Sequence, residues 1–397
     1  MTSSNNPAPQ PSRARVVTAV GFGQMLAWGS SYYLLAIIAR PMAAGLGLNP
    51  VWIYAAFSAA LLVAALLGPW VGARIDRHGG GKVLLFSNAV FAAGLTTLAV
   101  SQGPVSMIAG WLLIGAAMPM GLYDAAFSTL VSLYRLEARR SIVGVTLIGG
   151  FASSVSWPLT AALDAHFGWR VACAVWAVLH LTVGMGIHAF LVPRVKPVAI
   201  HPDATETVQP VAAPSNTTLW ILAATFTCNG FIFAAMAAHL PRVLQAAGCT
   251  PTAAVAAAAL LGVSQVVARL ADAGFLHRVH PLIAGRIAVS LHPLGAFLLF
   301  VFGAPVAVVF TALHGASVGL MTIVKGTLPL ALFGSAGFGR RAGLLEAPSR
   351  VVQALAPIAF GLMLDSWGAH VLWISGAIGC VGFCGLMILR TKNARPV

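Results

Sequence analysis

Apolar stretches of about 20 residues recur along the whole chain, and this pattern constrains the fold more than any other feature. An α-helix rises about 1.5 Å per residue, so a helix of that length crosses the roughly 30 Å hydrocarbon layer of a bilayer. The segments with this character are 16–38, 50–73, 83–101, 104–133, 141–163, 170–192, 217–239, 252–274, 283–303, 305–332, 343–364 and 370–390. Because lipid offers no partner for backbone N–H and C=O groups, each span must be a helix. The sequence therefore predicts an all-α membrane protein with twelve transmembrane helices.

Charged residues are too few to cover a water-soluble protein of this size. Only 8% of the 397 residues are charged, whereas about 25% is usual in soluble proteins. The net charge of +14 would suit nucleic acid, but the Lys and Arg residues lie in short loops and at helix ends rather than in one basic run. We therefore expect a lipid bilayer as the partner, and no nucleic acid.

The distribution of Lys and Arg predicts the orientation of the chain. If the N-terminus is cytosolic, the outer side holds only Arg40, Arg170 and Arg242. The cytosolic side then holds Arg13, Arg15, Arg74, Arg77, Lys82, Arg135, Arg139, Arg140, Arg194, Lys196, Arg278, Arg340, Arg341, Arg390, Lys392 and Arg395. Since cytosolic loops carry the excess of basic residues, we predict a cell (inner) membrane protein with both termini in the cytoplasm.

The chain divides into two similar halves joined by a polar segment. Residues 193–216, rich in Pro, Ala, Thr and Val, predict a flexible cytosolic linker. The end of the fifth span, 158–170, resembles the end of the eleventh, 357–370, which indicates an internal duplication. The predicted regions are a disordered cytosolic N-terminus (1–15), a six-helix bundle (16–192), the linker (193–216), a second six-helix bundle (217–390) and a cytosolic tail (391–397).

A glycine-rich basic motif follows the second span. It reads Gly72-Ala-Arg-Ile-Asp76-Arg77-His-Gly79-Gly80-Gly81-Lys82. The glycines permit a tight turn and a close helix approach, and the basic residues favour the cytosolic side. A carboxylate at this position can accept hydrogen bonds from the free N–H groups at the start of a neighbouring helix.

This motif resembles the G-x-x-x-D-R-x-G-R-R/K signature between helices two and three of the major facilitator superfamily. The resemblance implies two pseudo-symmetric six-helix bundles and secondary transport of a small solute by alternating access. It also implies a conformational latch, formed by Gly72, Asp76, Arg77, Gly79 and Lys82, in which the carboxylate binds the start of helix eleven. The competing interpretation is an ordinary glycine-rich basic loop.

A second motif resembles the monocarboxylate-porter-like branch of that superfamily. Gln265-Val-Val-Ala-Arg269 in the eighth span is similar to the D-x-x-A-R pair of monocarboxylate transporters, in which the arginine binds a carboxylate. Arg269 matches that arginine, whereas Gln265 stands where the aspartate would be. The first span also lacks the lysine of the animal members and carries Tyr32 and Tyr33 instead.

Few ionisable residues lie inside the predicted spans, and each is a candidate for function because burying one costs about 2.5–3.5 kcal/mol. Asp124 lies deep in the fourth span and predicts either a protonatable coupling residue or a permanent structural pair. Lys325 occupies a nearly equivalent place in the tenth span and either pairs with Asp124 across the halves or extends to the membrane surface. Arg350 follows Glu346 by four residues, which predicts an intrahelical pair.

Arg269 is the candidate ligand for an anionic solute, because a guanidinium stays charged when buried and binds a carboxylate bidentately. Its alternative role is a structural pair with Asp272. The other cavity candidates are Tyr32, Tyr33, Asn229, Gln265 and His314. No histidine pair has the spacing of a metal site and the five cysteines suggest no zinc site or disulfide framework, so we expect neither a metal nor a cofactor.

These features predict a transporter rather than an enzyme, and one that functions as a monomer. There is no phosphate-binding loop of the G-x-x-x-x-G-K-S/T type, so the energy is expected to come from a gradient. The preferred solute is an organic anion such as a monocarboxylate, with protons as the coupling ion. The alternatives are a drug or toxicant efflux antiporter of the same fold and a non-transporting membrane receptor or sensor.

Overall fold

The structure, a computed structural model, describes residues 12–193 and 216–389. Its helices in the first half are α1 (13–45), α2 (Pro50–His78), α3 (Gly81–Ala99), α4 (Pro104–Tyr134), α5 (138–167) and α6 (Trp169–Phe190). Those in the second half are α7 (Asn216–Ala246), α8 (Pro251–Gly274), α9 (Pro281–Phe302), α10 (Ala307–Phe333), α11 (Phe338–Trp367) and α12 (Val371–Ile388). The predicted N-terminal tail, linker and C-terminal tail lie almost wholly outside the described residues.

The expectation of an all-α membrane protein is confirmed. Among the described residues, nine helical ranges are long and apolar enough to cross a bilayer, and one of these, Phe338–Ile388, contains both α11 and α12. The helices α1 and α5 are not among the nine; each is divided into shorter pieces, at 29–33 and at 150–151 respectively. Twelve helical segments result, in agreement with the number of apolar stretches.

Helix boundaries extend beyond the apolar stretches where polar residues continue the helix. The apolar segment 16–38 belongs to a helix that runs over 13–45, and 343–364 belongs to Phe338–Trp367. Some starts are marked locally by a capping residue followed by proline, since proline fits the first helical position. Asn49 Oδ1, for example, accepts a hydrogen bond of 3.0 Å from the N–H of Val51.

The two halves share a turn at equivalent places. Gly168 follows α5 with φ 81°, and Gly368 follows α11 with φ 53°. Positive φ values strain residues that carry a Cβ atom, so glycine suits both positions. The similarity of 158–170 to 357–370 in the sequence therefore corresponds to a glycine with positive φ directly after the fifth and the eleventh helix.

Apolar cores fill both halves, and the two in the first half also include residues of α10 and α11. The helices α2 and α11 pack closely against each other between the halves. A Cβ atom on Gly343 would lie 2.6 Å from the carbonyl oxygen of Gly68, and one on Gly339 would lie 2.5 Å from that of Gly72. Small residues at such a crossing let two backbones pack directly against each other. This contact closes one end of the space between the halves, the end that carries Arg77, Lys82 and Arg340, here called the basic end.

Candidate functional site

A cavity with an empty volume of about 940 Å³, part of it continuous with the exterior, lies between the two halves. The first half lines it from α1, α4 and α5, and the second half from α7, α8, α10 and α11. The lining residues are Trp28, Tyr32, Tyr33, Leu122, Tyr123, Asp124, Phe127, Gly149, Gly150, Asn229, Gly230, Phe233, Gln265, Arg269, Val318, Met321, Thr322, Lys325, Glu346, Arg350 and Gln353. Seven of the eight predicted substrate or coupling residues lie in this set; His314 does not.

An ion pair between the halves lies on this cavity. Arg350 of α11 donates from Nη2 to Oδ2 of Asp124, which follows a break in α4 at Leu122. Arg350 is buried, and the Asp124 side chain keeps 24% of its surface exposed. A charge-assisted hydrogen bond in such surroundings is stronger than one in water. The pair therefore ties α4 of the first half to α11 of the second.

A second ion pair lies beside the first, within the second half. Lys325 Nζ on α10 is 3.0 Å from a carboxylate oxygen of Glu346 on α11. Both predicted pairings were therefore wrong. Asp124 binds Arg350 rather than Lys325, and Arg350 binds Asp124 rather than Glu346, because the packing of α4 against α11 supplies a partner from outside the helix.

Arg269 differs from the other two cations of the cavity because it has no carboxylate partner. It is 5% exposed, and its guanidinium donates only two long hydrogen bonds of 3.4 Å, to the Thr146 carbonyl and to Thr322 Oγ1. Its Nε atom is buried without an acceptor. The ion pairs within 4.0 Å among residues 12–193 and 216–389 do not include Arg269, so the predicted alternative pair with Asp272 is not one of them.

The charged residues that line the cavity do not balance. They comprise three cations, Arg269, Lys325 and Arg350, and two carboxylates, Asp124 and Glu346. Three minus two leaves one formal positive charge, which belongs to Arg269 because the other four residues are paired. A buried cation without a counter-ion is costly, so a monoanion would be stabilised here.

His314 lies away from the cavity, against its predicted placement. Its Nδ1 atom is 3.0 Å from Nδ1 of His292 on α9, both side chains are 1% exposed, and its ring stacks on Phe310. The side chain points toward α9 within the second half, because α10 presents a different face to the cavity. In the described part of the chain, no group of three or more His, Cys, Asp or Glu residues could hold a metal ion.

The glycine-rich motif forms the predicted contact at the basic end. Asp76 accepts hydrogen bonds from the backbone N–H of Gly339 at 2.8 Å and of Arg340 at 2.9 Å. Those two groups belong to the first turn of α11, which starts at Phe338. Free N–H groups and the helix dipole both favour a carboxylate there, so Asp76 joins α2 to the start of α11.

The remaining motif residues serve the turn after α2. Gly79 has φ 80°, and it ends the helix with a hydrogen bond of 2.8 Å to the Ile75 carbonyl. Arg77 and Lys82 are exposed. The glycine at position 72 is required by the close approach of α11, because a Cβ atom would overlap the Gly339 carbonyl.

A second connection closes the basic end between α5 and the turn after α8. Arg139 donates hydrogen bonds of 3.1 Å to the carbonyl oxygens of Leu276 and Val279. The glycine at position 326 on α10 packs against Phe127 and Ile142 of the first half. Besides the long contact of α2 with α11, the halves therefore also meet at this end, through 123–134 of α4 and 138–149 of α5.

Several cavity residues were not singled out as site residues from the sequence. They include Trp28, Tyr123, Phe127, Phe233, Glu346, Arg350 and Gln353. The charges of Glu346 and Arg350 inside a predicted span were a usable signal, since intramembrane charges mark solute routes. The aromatic residues carried no such signal, because aromatic side chains are common throughout membrane helices.

Three comparisons relate the chain to known proteins. The family model described as Major Facilitator Superfamily matches residues 20–324. The structure superposes on the crystal structure of the human organic anion transporter MFSD10 (TETRAN) with a TM-score of 0.72 and 19% identity, covering 95% of this chain and 100% of that one. At this level of identity the match shows a common fold.

Sequence relatives are distant. An uncharacterized 38 kDa protein of Thermoproteus tenax is 25% identical over 386 residues, 96% of each chain. Multidrug resistance protein MdtH of Shigella boydii is 24% identical over 235 residues, which are 57% of this chain and 56% of that protein. Myo-inositol transporter 2 of Schizosaccharomyces pombe is 28% identical over 144 residues, which are 36% of this chain and 25% of that protein.

Proposed function

We propose, from the premise that this chain belongs to the Major Facilitator Superfamily, that it is a proton-coupled secondary transporter of a small organic monoanion. The family match and the shared fold make it a multi-pass membrane transporter rather than an enzyme. To this we add, as proposals, the class of solute, the proton as coupling ion and a monomeric unit. The distribution of Lys and Arg supports the cell (inner) membrane and cytosolic termini.

The unpaired cation in the cavity carries this proposal. Arg269 is buried, donates only two long hydrogen bonds and leaves the lining with one net positive charge. A carboxylate solute would supply the missing counter-ion and accept two parallel N–H bonds from the guanidinium. The human protein on which the structure superposes is an organic anion transporter, which agrees with this choice.

The contacts at the basic end support an outward-facing state. Asp76 binds the start of α11, and Arg139 binds the turn after α8, both at the end that the charge distribution assigns to the cytosol. Alternating access in this fold is a rocking of one half against the other about a central site. Opening toward the cytosol would require both connections to break.

Asp124 supports proton coupling. If the halves separate at the basic end, Asp124 leaves with α4, while Arg350 stays on α11, one helical turn from Glu346. Arg350 then retains a carboxylate neighbour, whereas Asp124 loses its counter-ion in a low-dielectric environment. We infer that a proton takes the place of the lost counter-ion on Asp124 during the opening, as a symporter of a weak acid and a proton requires.

The test is uptake of labelled monocarboxylates by the purified protein in proteoliposomes, with and without an inward proton gradient. We expect the gradient to accelerate uptake and Arg269→Gln to abolish it. Arg269→Lys should retain a fraction of the uptake, because lysine keeps the positive charge but cannot bind a carboxylate bidentately. Transport that is equally fast for Arg269→Gln would contradict the anion site. Uptake unaffected by the proton gradient would contradict the coupling alone.

The efflux of a cationic drug is the weaker candidate. The partial match to MdtH suggests it, but a cation entering the cavity would meet a lining that already carries one net positive charge. The like-charge contact in low dielectric disfavours such a solute. In the same vesicles, a pH-driven exchange of lipophilic cations that is faster than carboxylate uptake would favour this alternative.

A further inference from the structure

The cavity wall from the first half is aromatic. Trp28 on α1 contacts Tyr32, Tyr33 and Tyr123, with ring centroids 4.8, 6.2 and 5.4 Å apart. Tyr123 stacks on Phe127 at 5.2 Å. All five residues line the cavity, and Trp28 and the three tyrosines keep part of their surface exposed. A nearly continuous aromatic surface therefore faces the proposed solute route.

A π-helical turn brings the rings of α1 onto one face. The turn comprises Gly29–Tyr33. In a regular α-helix, residues five positions apart point about 140° away from each other, since 3.6 residues complete a turn. In a π-turn, with its i→i+5 bonds, they lie nearly above each other. Trp28 can therefore contact Tyr33 as well as Tyr32, and both tyrosines reach the cavity.

A buried chain of hydrogen bonds holds this turn from the side away from the cavity. Ser30 Oγ lies 2.7 Å from His180 Nε2, and His180 Nδ1 lies 2.9 Å from Asn88 Oδ1. Asn88 Nδ2 in turn lies 2.7 Å from Nδ1 of His188. All four residues are at most 2% exposed. The aromatic wall is therefore supported by a polar network that does not touch the solute.

The unpaired cation adjoins the aromatic surface. Gly149 and Gly150 are neighbours on α5: a Cβ atom on Gly149 would lie 2.7 Å from the Tyr123 hydroxyl, and one on Gly150 would overlap Nη1 of Arg269. The tyrosine ring and the guanidinium therefore lie side by side. A ligand with a planar ring next to an acid group would fit this arrangement, with its ring on the aromatic surface and its acid group on Arg269.

The second half adds apolar surface to the cavity beside its charged residues. In the second half, Gly230 on α7 and Val318 and Met321 on α10 line the cavity. These residues offer small or flexible apolar surface, and methionine sulphur packs well against aromatic rings. A planar ring in the cavity would therefore find apolar surface on both halves.

We propose that the solute is an aromatic monocarboxylate, with its ring on Trp28 and Tyr32 and its carboxylate on Arg269. This inference rests on the proposed function, since it takes the anion site at Arg269 as given. It adds the chemical class of the body of the solute, which the cavity charge does not specify. Ring–ring contacts add affinity beyond the apolar area that they bury.

The experiment compares three ligands of nearly equal size on the purified full chain in detergent. Benzoate carries the ring and the charge, cyclohexanecarboxylate carries the charge on a saturated ring, and benzamide carries the aromatic ring without charge. Binding raises the unfolding temperature in proportion to the logarithm of ligand concentration over Kd, so titration gives each affinity. We expect benzoate to bind about tenfold tighter than cyclohexanecarboxylate and benzamide to produce no shift.

The outcomes separate this inference from the proposed function. Equal affinity for benzoate and cyclohexanecarboxylate would overturn the aromatic class and leave the anion site standing. A benzamide shift equal to that of benzoate would overturn the assignment of the carboxylate to Arg269 and this inference with it. The absence of any shift with all three ligands, up to concentrations of tens of millimolar, would overturn both.

A matched pair of variants locates the ring. Tyr32→Phe keeps the aromatic face and is expected to keep the tenfold preference for benzoate over cyclohexanecarboxylate. Tyr32→Leu removes the face and is expected to reduce that preference severalfold while cyclohexanecarboxylate binding persists. The retained binding shows that the variant is folded. An unchanged preference in Tyr32→Leu would overturn the placement of the ring on this residue.

Discussion

Arg350 and Asp124 form an ion pair that joins the two halves of the molecule at the cavity. The carboxylate nearest to Arg350 in the sequence, Glu346, is bound by Lys325 instead. The four charges therefore form one tie between the halves and one pair within the second half. Only the first of these must break when α4 and α11 separate.

Neutralising one member of the pair between the halves should cost more stability than neutralising both. We expect Arg350→Gln or Asp124→Asn to lower the free energy of unfolding by about 3 kcal/mol, near the lower bound for breaking a buried pair because Asp124 is partly exposed. The double variant should lose less than either single variant, since it leaves no uncompensated charge. Thermal and denaturant unfolding in detergent measure all four proteins.

The pair Lys325 and Glu346 provides the comparison within one half. In a double-mutant cycle, Lys325→Met and Glu346→Gln should have non-additive effects on the free energy of unfolding. They should not change the ratio of the outward-facing to the inward-facing state. Additive losses for Arg350→Gln and Asp124→Asn would mean that the ion pair contributes no coupling energy.

The carboxylate of Asp76 should hold the basic end closed. Asp76→Asn removes a charge from two hydrogen bonds to the start of α11, and bonds to charged groups contribute about 1.5–3 kcal/mol against about 1 for neutral ones. We expect the closed state to lose about 1–2 kcal/mol, a roughly tenfold shift in population. Labelling of Ile142→Cys by an impermeant maleimide, in a chain without its five cysteines, measures the opening.

Arg77→Ala is the control for that experiment. Arg77 adjoins Asp76 but is exposed, so its replacement should leave the labelling rate within about twofold of the parent. If Asp76→Asn and Arg77→Ala label alike, the bonds to Gly339 and Arg340 do not set the position of the equilibrium.

The spans and the contact at Asp76 could be predicted because each depends on local information. Twenty apolar residues in lipid have few structural options, and a carboxylate in a glycine-rich turn needs only a nearby helix start. That the neighbouring helix is α11, at Gly339 and Arg340, agrees with what the resemblance of the motif to the superfamily signature implies. In contrast, the helix ends shifted by several residues, since polar residues continue a helix past its apolar part.

The partners of the cavity charges could not be predicted, because they depend on how helices are rotated against each other. The spacing of Glu346 and Arg350 satisfies the rule for intrahelical pairs, yet each binds a residue of another helix. Likewise, His314 lies on the same helix as the cavity residue Lys325 but faces His292. Hydropathy gives the spans but not the face that each helix turns inward.

Gly150 should be essential for anion binding although it carries no functional group. A Cβ atom there would overlap the Arg269 guanidinium, whose flexible side chain would swing away while the helices stay in place. Gly150 has φ −62°, which alanine adopts without strain, so Gly150→Ala should remain folded. We expect carboxylate affinity to fall at least tenfold, measured by ligand-induced thermal shift.

Gly262→Ala is the matched control, because a Cβ atom at that position of α8 meets nothing within 4 Å. It should bind carboxylate as the parent does and unfold at the same or a slightly higher temperature. A loss of affinity in both variants would assign the effect to helix stiffness rather than to displacement of Arg269.

The π-turn of α1 should depend on His180, which does not line the cavity. In His180→Leu, Ser30 Oγ loses its partner at 2.7 Å and Asn88 Oδ1 loses its partner at 2.9 Å, and each unsatisfied buried group costs about 1–3 kcal/mol. We therefore expect a loss of about 2–4 kcal/mol in the free energy of unfolding. Because the turn sets the positions of Tyr32 and Tyr33, its relaxation should also weaken the preference for an aromatic solute.

The variant Ser30→Ala/His180→Leu separates the two effects. It removes the Ser30 hydroxyl that His180→Leu leaves without its partner, so part of the lost stability should return. The π-turn still lacks its support in the double variant, so the ratio of benzoate to cyclohexanecarboxylate affinity should remain low. If that ratio recovers together with stability, the histidine contributes only to folding, and the tyrosines are positioned by the packing of Trp28 alone.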